Sequence, residues 1–250
     1  MMECGQKKIP KTIHYCWLGG KEKPAEIQKY MESWKKYAPD FEIKEWNEGN
    51  FPFNEIDMPY VRDAIKDKKW AFVTDVMRLY VLFCYGGVYF DTDVELIRPF
   101  QGFQVHSSFI GFESRYSLCT AVIGAKPEEN WIGELLEYYK KRNFYNESGK
   151  QDMTPNSQYI YQILNEKYDL TMSKEIIALP NGLTVYPAEY FSPINYSTMR
   201  TVVTENTYAI HHYSGAWKSS GELFKDRLKG VITRIIGEKR REQLKRIIKG

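Results

Sequence analysis

Two aspartates separated by one residue carry the clearest chemical signal in the sequence. Residues 88–90 (Val-Tyr-Phe) are predicted to form a short buried strand, and Asp91-Thr92-Asp93 follows directly. Alternate side chains of an extended chain point the same way, so Asp91 and Asp93 should share a face. Two carboxylates that close repel each other unless a cation lies between them. Because Mg²⁺ and Mn²⁺ accept carboxylate and phosphate oxygens together, the pair suits a metal-bound diphosphate; an exposed or capping pair is the alternative.

A second pair of charged residues stands upstream, inside an apolar stretch. Trp70–Tyr85 is predicted to be a helix rich in Ala, Phe, Val, Met and Leu, and Gly86 and Gly87 end it. Asp75 and Arg78 are three residues apart, so they lie on one face of that helix. Exposed ion pairs contribute little to stability and rarely need such apolar surroundings. The setting therefore favours a functional role over a simple intrahelical ion pair.

The elements that position these charges alternate between strands and helices. Apolar runs predict strands, and apolar residues at helical spacing predict helices. We therefore expect an α/β fold with a mostly parallel sheet, covered by helices on both faces, and functional groups at the carboxyl ends of the strands. The predicted strands are Thr12–Trp17, Phe41–Trp46, Val88–Phe90, Ser108–Phe112, Thr120–Gly124 and Tyr208–His212, and the predicted helices are Pro24–Tyr37, Trp70–Tyr85, Glu128–Asn143 and Pro155–Tyr168.

The composition is that of a folded globular protein with many aromatic residues. The 250 residues are 43% hydrophobic and 27% charged, which excludes disorder, collagen and coiled coil. Six Trp, 19 Tyr and 13 Phe are present. Aromatic rings stack on sugars and bases, but packing in the core is their ordinary role.

Cysteine spacing and hydropathy indicate the cellular compartment in which the protein is expected to lie. The four cysteines are widely and irregularly spaced, with no Cys-x-x-Cys, so we expect reduced thiols rather than a zinc site or a disulfide framework. Residues 1–8 lack the apolar region of a signal peptide, and no apolar run approaches the roughly 18 residues of a membrane span. A cytoplasmic protein is therefore expected.

The segment Trp70–Asp93 resembles the signature of glycosyltransferase family 32, the group with a sugar-binding region containing a DXD motif. It reads W-A-F-V-T-D-V-M-R-L-Y-V-L-F-C-Y-G-G-V-Y-F-D-T-D. The opening I-P-K-T-I-H-Y-C-W-L-G-G and the late A-I-H-H-Y-S-G-A-W-K also resemble family elements, so the likeness spans most of residues 9–221. The family includes fungal Golgi mannosyltransferases and bacterial capsule and lipopolysaccharide glycosyltransferases, and the catalytic domains of large clostridial glucosylating toxins are similar. The resemblance implies a GT-A, Rossmann-like fold, a nucleotide-sugar donor, bound Mn²⁺ or Mg²⁺, and retention of anomeric configuration.

The resemblance also implies roles for single residues at the donor. Trp17 would stack on the nucleotide base, and Tyr89 would touch the nucleotide. Asp75 would contact the ribose and the sugar, and Arg78 the sugar hydroxyls or the diphosphate. Thr74 and Asn156 complete the donor-binding set with Asp91 and Trp217, and the residues assigned to catalysis are Asp75, Arg78, Asp91, Asp93 and Trp217.

A metal site and a closing loop follow from the same resemblance. Asp93 would bind the metal directly, and Asp91 would bind it through water while contacting the ribose or sugar. The toxins complete this site with an acidic residue and many GT-A enzymes with His; this sequence offers His212, with His211 beside it. Two packed histidines at a strand end are the alternative. Trp217 would lie on a lid and donate its indole N–H to the β-phosphate or the glycosidic oxygen.

A basic segment closes the sequence. Residues 222–250 hold ten basic and four acidic residues, although the whole chain has a net charge of +3. This placement argues against a nucleic-acid protein, whose basic residues should line a groove of the fold itself. Apolar residues at helical spacing predict an amphipathic helix or helix pair, which suits an anionic membrane surface; a helix docked on the domain is the alternative. We expect a transferase domain over 1–221 and this tail over 222–250.

The resulting hypothesis is a metal-dependent retaining glycosyltransferase. It would move a hexose or N-acetylhexosamine from a UDP-sugar to a glycan or lipid-linked saccharide in surface polysaccharide synthesis, with the tail at the inner face of the membrane. A toxin-like transferase acting on a protein is the alternative. A HAD-like phosphohydrolase needs a second acidic cluster, whereas every aspartate after Asp93 is isolated. A non-catalytic sugar-binding module needs neither the nucleotide-stacking Trp17 nor the pair of Asp75 and Arg78.

Overall fold

A central sheet flanked by helices makes up the part of the chain that the computed structural model describes, residues 8–215. The helices are α1 (Ala25–Tyr37), α2 (Pro59–Lys66), α3 (Trp70–Tyr85), α4 (Asn130–Lys141) and α5 (Asn156–Tyr168). The strands are β1 (Thr12–Cys16), β2 (Glu42–Trp46), β3 (Gly87–Phe90), β4 (Val94–Leu96), β5 (Ser108–Ser114), β6 (Ser117–Ala125), β7 (Ile177–Ala178), β8 (Leu183–Tyr186), β9 (Ile194–Asn195), β10 (Arg200–Thr201) and β11 (Ala209–His211). Trp217 and the basic segment 222–250 lie outside the described residues.

The main sheet has seven strands in the order β2-β1-β3-β6-β5-β8-β7. β1 is parallel to β2 and β3, and β5 is parallel to β8, whereas β6 is antiparallel to both its neighbours and β7 is antiparallel to β8. Five of the seven strands therefore run in one direction, which confirms the expected α/β fold with a mostly parallel sheet. β6 reverses because a short turn joins it to β5, and only antiparallel neighbours can be joined so tightly.

The turn between α3 and β3 determines where the charged residues of the helix lie relative to those that follow the strand. Gly86 has a φ of 63° and Gly87 a φ of 103°, and a Cβ on Gly87 would lie 2.6 Å from the carbonyl oxygen of Thr12. The chain therefore turns sharply from helix to strand. Arg78 lies about 12 Å back along the helix from this turn, and Asp91 about 13 Å forward along the strand, at ~1.5 and ~3.3 Å per residue. Because these two distances from the turn are similar, the sharp turn places the side chains of Arg78 and Asp91 next to each other.

Apolar side chains pack on both faces of the sheet. Alternation along β3 places Tyr89 in one cluster with α2, α3 and α4, and Val88 and Phe90 in the other cluster with Trp34 of α1. Many of the aromatic rings are fully buried, so packing in the core accounts for much of their number. The largest are Trp34, Tyr60, Tyr89, Tyr139, Phe90, Phe100, Phe109, Phe112, Phe144 and Phe191. Among residues 8–215, no helix has both the length and the apolar character to cross a membrane.

A two-stranded pairing outside the main sheet brings the late histidines to the paired aspartates. β11 pairs antiparallel with β4, and His211 is in register with Val94. The backbone N–H of His212 donates to the carbonyl oxygen of Asp93 at 3.0 Å. The end of β11 therefore lies beside the turn that carries Asp93.

His14 of β1 makes stability dependent on pH. The indole N–H of Trp46 donates to its Nδ1 at 3.0 Å, so its Nε2–H donates to the Gly86 carbonyl at 2.8 Å, as a neutral ring requires. Burial lowers the pKa of His14 from 6.5 to about 4. The unfolded chain binds this proton at higher pH than the folded protein does. The stability that the neutral ring contributes is therefore present above pH 6.5 and is lost as the pH falls towards 4.

We expect this loss to be absent from a His14→Asn variant, whose residue does not titrate. Between about pH 7.5 and about pH 5, the free energy of unfolding of the wild type should fall by ~2 kcal/mol more than that of the variant. Urea unfolding of both proteins at the two pH values measures the difference. Parallel losses of stability in the two proteins would contradict the assignment.

Candidate active site

A cavity of about 750 Å³ lies beside the carboxyl end of β3, where an open α/β sheet commonly binds its ligand. Side chains from β1, α3, β3, β5, β6, α5 and the segment after β11 line it. The lining includes each described residue that the sequence analysis assigned to the donor or to catalysis: Trp17, Thr74, Asp75, Arg78, Tyr89, Asp91, Asp93 and Asn156. The fold thus brings these residues to one place, while their individual roles stay predictions.

Arg78 connects the two acidic positions. Its Nη2 lies 3.2 Å from Asp75 Oδ1 and 3.2 Å from Asp91 Oδ1. Its Nη1 donates to the Thr120 carbonyl at 2.8 Å, and its guanidinium lies over the Tyr89 ring, 4.8 Å from the centroid. The Arg78 side chain is only 6% exposed. The pair on α3 is therefore not a simple intrahelical ion pair, because it extends to the carboxylate that follows β3.

Asp75 also joins α3 to the start of α5. The backbone N–H of Asn156 donates to Asp75 Oδ2 at 3.3 Å, and the Asn156 side-chain amide donates to the Asp75 carbonyl at 3.1 Å. Burial raises the pKa of Asp75 to about 6, against the opposing charge of Arg78. Asp75 is consequently an acceptor held between a cation and an amide, and it is mostly ionised at neutral pH.

The two aspartates of the motif lie in a turn rather than in an extended segment. The Val94 N–H donates to the Asp91 carbonyl at 3.0 Å, and the Asp91 N–H donates to the Ala121 carbonyl at 3.0 Å. The Tyr89 hydroxyl donates to Asp91 Oδ1 at 3.0 Å. Both carboxylates still line the cavity, so the turn rather than strand alternation brings them together.

Asp93 is held by the segment that follows β11. Its Oδ2 accepts from the Ser214 N–H at 2.8 Å and from the Ser214 hydroxyl at 3.1 Å, and its Oδ1 lies 3.5 Å from His211 Nε2. Burial opposes ionisation of Asp93, but His211 and Ser214 lower its pKa to about 2. Burial also opposes a charge on His211, but Asp93 and then Asp91 raise its pKa to about 9. Without a bound cation the two side chains therefore form a buried ion pair, and His211 would have to lose its proton to bind a metal ion.

Asp91, Asp93 and His211 fit a divalent metal ion. One ligand atom from each lies within 4.8 Å of the others. Two carboxylate oxygens and an imidazole nitrogen form a donor set that suits Mn²⁺, and Mg²⁺ accepts the oxygens. His211 Nδ1 is buried and has no hydrogen-bond partner among the described residues; the nearest carboxylate oxygen, Oε1 of Glu113, is 3.8 Å away. His211 is thus oriented with Nε2 towards the aspartates.

The structure moves the third candidate ligand from His212, the sequence prediction, to His211. Neighbouring residues of an extended segment point to opposite sides, so only one of the two can face the aspartates. His212 points the other way: its Nε2 lies 2.8 Å from Oε2 of Glu95 in β4, and its ring stacks on Tyr30 of α1 with centroids 4.2 Å apart. The register of β11 on β4 determines which of the two histidines faces the aspartates, and no feature of the His-His sequence predicts it.

Tyr213 and Glu113 form a contact beside His211 that the sequence analysis did not predict. The Tyr213 hydroxyl donates to Glu113 Oε1 at 3.1 Å and is 2.7 Å from the Ser192 hydroxyl, and the Tyr213 ring lies 4.0 Å from that of His211. Tyr213 has a φ of 53°, which is uncommon for a residue with a side chain. Glu113 lies near the end of β5, a largely apolar strand far from Tyr213 in sequence, so no local pattern predicts the contact.

Trp17 follows β1 and lines the cavity with a partly exposed ring. Its indole N–H donates to the Lys21 carbonyl at 2.6 Å, and its backbone N–H donates to the Trp46 carbonyl at 2.9 Å. The ammonium group of Lys23 lies 5.5 Å from the ring centroid. The ring is therefore fixed in place while keeping a surface available to a ligand.

Comparisons with known proteins bear on this region. The sequence model described as "Glycosyltransferase sugar-binding region containing DXD motif" matches residues 24–110, which include α3 and both aspartates. Among solved structures, the PaToxG glycosyltransferase aligns with a TM-score of 0.51 and 19% identity, over 65% of this chain and 71% of that one. The galactosyltransferase LgtC in complex with donor and acceptor sugar analogues aligns with a TM-score of 0.45 and 14% identity, over 87% of this chain and 93% of that one.

A glycosyltransferase involved in glycosylation of the major capsid of PBCV-1 aligns with a TM-score of 0.42 and 13% identity, over 87% of this chain and 98% of that one. No curated protein sequence matches the chain. The expected GT-A-like fold is confirmed by the likeness to PaToxG, and the expected family resemblance by the sequence match. Residues 24–110 thus match the model of the glycosyltransferase sugar-binding region containing the DXD motif, and the fold of the chain is similar to that of a glycosyltransferase.

Proposed function

We propose that the chain is a metal-dependent, retaining glycosyltransferase that transfers a hexose or N-acetylhexosamine from a UDP-sugar. One observation carries the proposal. A single cavity holds a candidate metal-ligand set, Asp91, Asp93 and His211, next to the buried pair of Asp75 and Arg78. Such a site combines groups for a diphosphate with groups for a sugar. Neither a phosphohydrolase nor a plain sugar-binding module needs both.

The leaving group, a nucleoside diphosphate, determines what the site must stabilise. Asp91, Asp93 and His211 would hold Mn²⁺ or Mg²⁺, which when bound neutralises negative charge that develops on the diphosphate. Arg78 is fixed by two carboxylates and a carbonyl, so its positive charge needs no rearrangement as the reaction proceeds. A preorganised cation of this kind stabilises a transition state more than it stabilises the bound substrate.

The remaining cavity residues act on the sugar and the base. Asp75 accepts hydrogen bonds from sugar hydroxyls, and its negative charge favours the oxocarbenium character of the anomeric carbon. Trp17 offers its ring to the base, and Tyr89 fixes Asp91 through its hydroxyl. The anomeric configuration is also retained when the acceptor attacks the anomeric carbon from the same face that the leaving group departs from. This route requires no covalent nucleophile, so no residue is assigned that role.

We further propose that the acceptor is a glycan or lipid-linked saccharide of surface polysaccharide synthesis, such as capsule or lipopolysaccharide. Residues 1–221 would form the transferase domain. The ten basic residues of segment 222–250 would hold it at the inner, cytoplasmic face of an anionic membrane. This part of the proposal rests on the sequence resemblance and on the charge distribution.

The neighbouring histidines provide a matched test of the metal site. We expect His211→Ala to weaken Mn²⁺ binding at least ~10-fold, as loss of a ligand or its support does in metal sites. His212→Ala should leave Mn²⁺ affinity near that of the wild type, because His212 contacts Glu95 and Tyr30 instead. Titration followed by electron paramagnetic resonance of free Mn²⁺ measures both without relying on activity. A larger loss in His212→Ala than in His211→Ala would reverse the ligand assignment.

A further inference from the structure

A second cavity, of about 570 Å³, shares two elements with the first. The turn between β5 and β6 contributes Ser114 and Ser117 to the candidate active site, and Arg115 and Tyr116 to the second cavity. The β5–β6 turn and the residues beside it therefore contribute to both cavities. The other lining residues of the second cavity are Tyr161, Asn165, Thr171 and Met172.

Helix α5 also runs from one cavity to the other. Ser157 lines the candidate active site, and Tyr161 and Asn165 line the second cavity. These three residues are spaced by four, so they lie along one face of the helix. The distance from Ser157 to Asn165 is about 12 Å at ~1.5 Å per residue. A ligand that extends from the candidate active site along α5 would therefore enter the second cavity.

The lining of the second cavity offers an aromatic surface. The Tyr116 side chain is 61% exposed, and its ring packs edge to face on that of Tyr161 with centroids 6.1 Å apart. Met172 is 46% exposed beside them. Exposed apolar side chains gathered around a cavity indicate a binding surface. A sugar ring has an apolar C–H face that suits such a platform, and hydroxyls that suit Asn165 and Thr171.

The same lining carries a positive charge. The guanidinium of Arg115 lies 5.3 Å from the centroid of the Tyr116 ring, and no carboxylate in residues 8–215 forms an ion pair with it. No Asp or Glu of the described chain lines this cavity. A guanidinium binds a carboxylate through two parallel hydrogen bonds. The charge therefore favours a sugar that carries a carboxylate.

We propose that the second cavity is an outer acceptor subsite that binds a uronic acid residue of an oligosaccharide whose end reaches the candidate active site. This inference rests on the proposed function, because it assumes a saccharide acceptor. Tyr116 supplies the stacking surface, and Arg115 pairs with the carboxylate. The acceptor would then be recognised at a residue beyond the one that is glycosylated.

Two tetrasaccharide probes test the subsite on the full chain: hyaluronan tetrasaccharide, which contains glucuronic acid, and neutral chitotetraose. Binding is measured by calorimetry with UDP and Mn²⁺ present, and again without them. We expect the acidic probe to bind the wild type about tenfold more tightly. Arg115→Gln should remove this preference, and Tyr116→Ala should lower the affinity for both probes about fivefold or more.

Two substitutions of the same residue types outside both cavities serve as controls. Tyr138 is 41% exposed on α4, and Arg98 is exposed after β4, so Tyr138→Ala and Arg98→Gln should bind the probes as the wild type does. UDP affinity should be unchanged in all four variants. The subsite proposal would be overturned if the wild type bound the two probes with equal affinity. It would also be overturned if the variants at Arg115 and Tyr116 bound the probes as tightly as the controls do. Failure of the wild type to bind UDP with Mn²⁺ would instead count against the proposed function, and the titrations without UDP would still report on the subsite.

Discussion

Replacement of Asp93 by Asn is expected to lower the rate of donor turnover by about 100- to 1000-fold, which corresponds to ~3 to 4 kcal/mol of transition-state stabilisation. The side chain keeps its shape, so the hydrogen bonds from Ser214 can persist and the segment after β11 stays in place. What is lost is the negative charge that, in the proposed function, would hold a metal ion against the diphosphate. Asp91→Asn should have a similar effect, although Arg78 then also loses one of its two carboxylates.

Hydrolysis of UDP-sugars with Mn²⁺ present measures this turnover without knowledge of the acceptor, and thermal unfolding shows whether the variants are folded. Asp57→Asn is the matched control, because Asp57 is largely exposed and pairs with Arg62 at the surface. It should retain wild-type activity. Near-normal turnover in folded Asp93→Asn would refute the role assigned to that residue.

Replacement of Arg78 by Met is expected to be the most destabilising single change in the site. Asp75, which is buried, and Asp91 would both lose the guanidinium that lies 3.2 Å from each of them. Removal of one partner from a buried ion pair typically costs ~3 to 5 kcal/mol, because the other charge is left uncompensated. The free energy of unfolding should fall by about this amount, and turnover should be lost with it.

A double-mutant cycle separates the charge from the packing. Combining Arg78→Met with Asp75→Asn removes one of the two carboxylates left without a partner, so the double variant should be more stable than the sum of the single losses predicts. Arg62→Met is the control, since Arg62 forms an exposed pair with Asp57 and should cost less than ~1 kcal/mol. Urea unfolding of the wild type, the two single variants, the double variant and Arg62→Met gives the result. Equal losses for Arg78→Met and Arg62→Met would contradict the network described for Arg78.

Local signals in the sequence predicted the elements around Arg78 well. The helix Trp70–Tyr85 has the predicted bounds because a long apolar segment ends at two glycines, and β3 follows directly. Since α3 and β3 are neighbours in sequence and joined sharply, the meeting of Asp75, Arg78 and Asp91 also follows from local structure. The sequence analysis missed β4, β7, β8, β9 and β10, because strands of two to four residues are too short to show periodicity, and it also missed α2.

The parts of the site that depend on distant pairing could not be predicted. His211 rather than His212 faces the aspartates because β11 pairs in one register with β4, a strand far from it in the chain. Glu113 and Tyr213 meet for a similar reason, since Glu113 lies in β5 and Tyr213 follows β11. Residue type identified the candidates here, and tertiary contacts selected among them. The second cavity likewise arises only when the β5–β6 turn lies beside α5.

The central claim is that the cavity binds a nucleotide together with a divalent metal, and calorimetric titration of the wild-type chain with UDP tests it most directly. The titration is run with Mn²⁺ and with a chelator, and repeated on Asp93→Asn. We expect heat of binding to one site with Mn²⁺, little or none with the chelator, and weak binding in Asp93→Asn even when Mn²⁺ is present. UDP binding of equal affinity with and without the metal, or in Asp93→Asn, would contradict the proposed site.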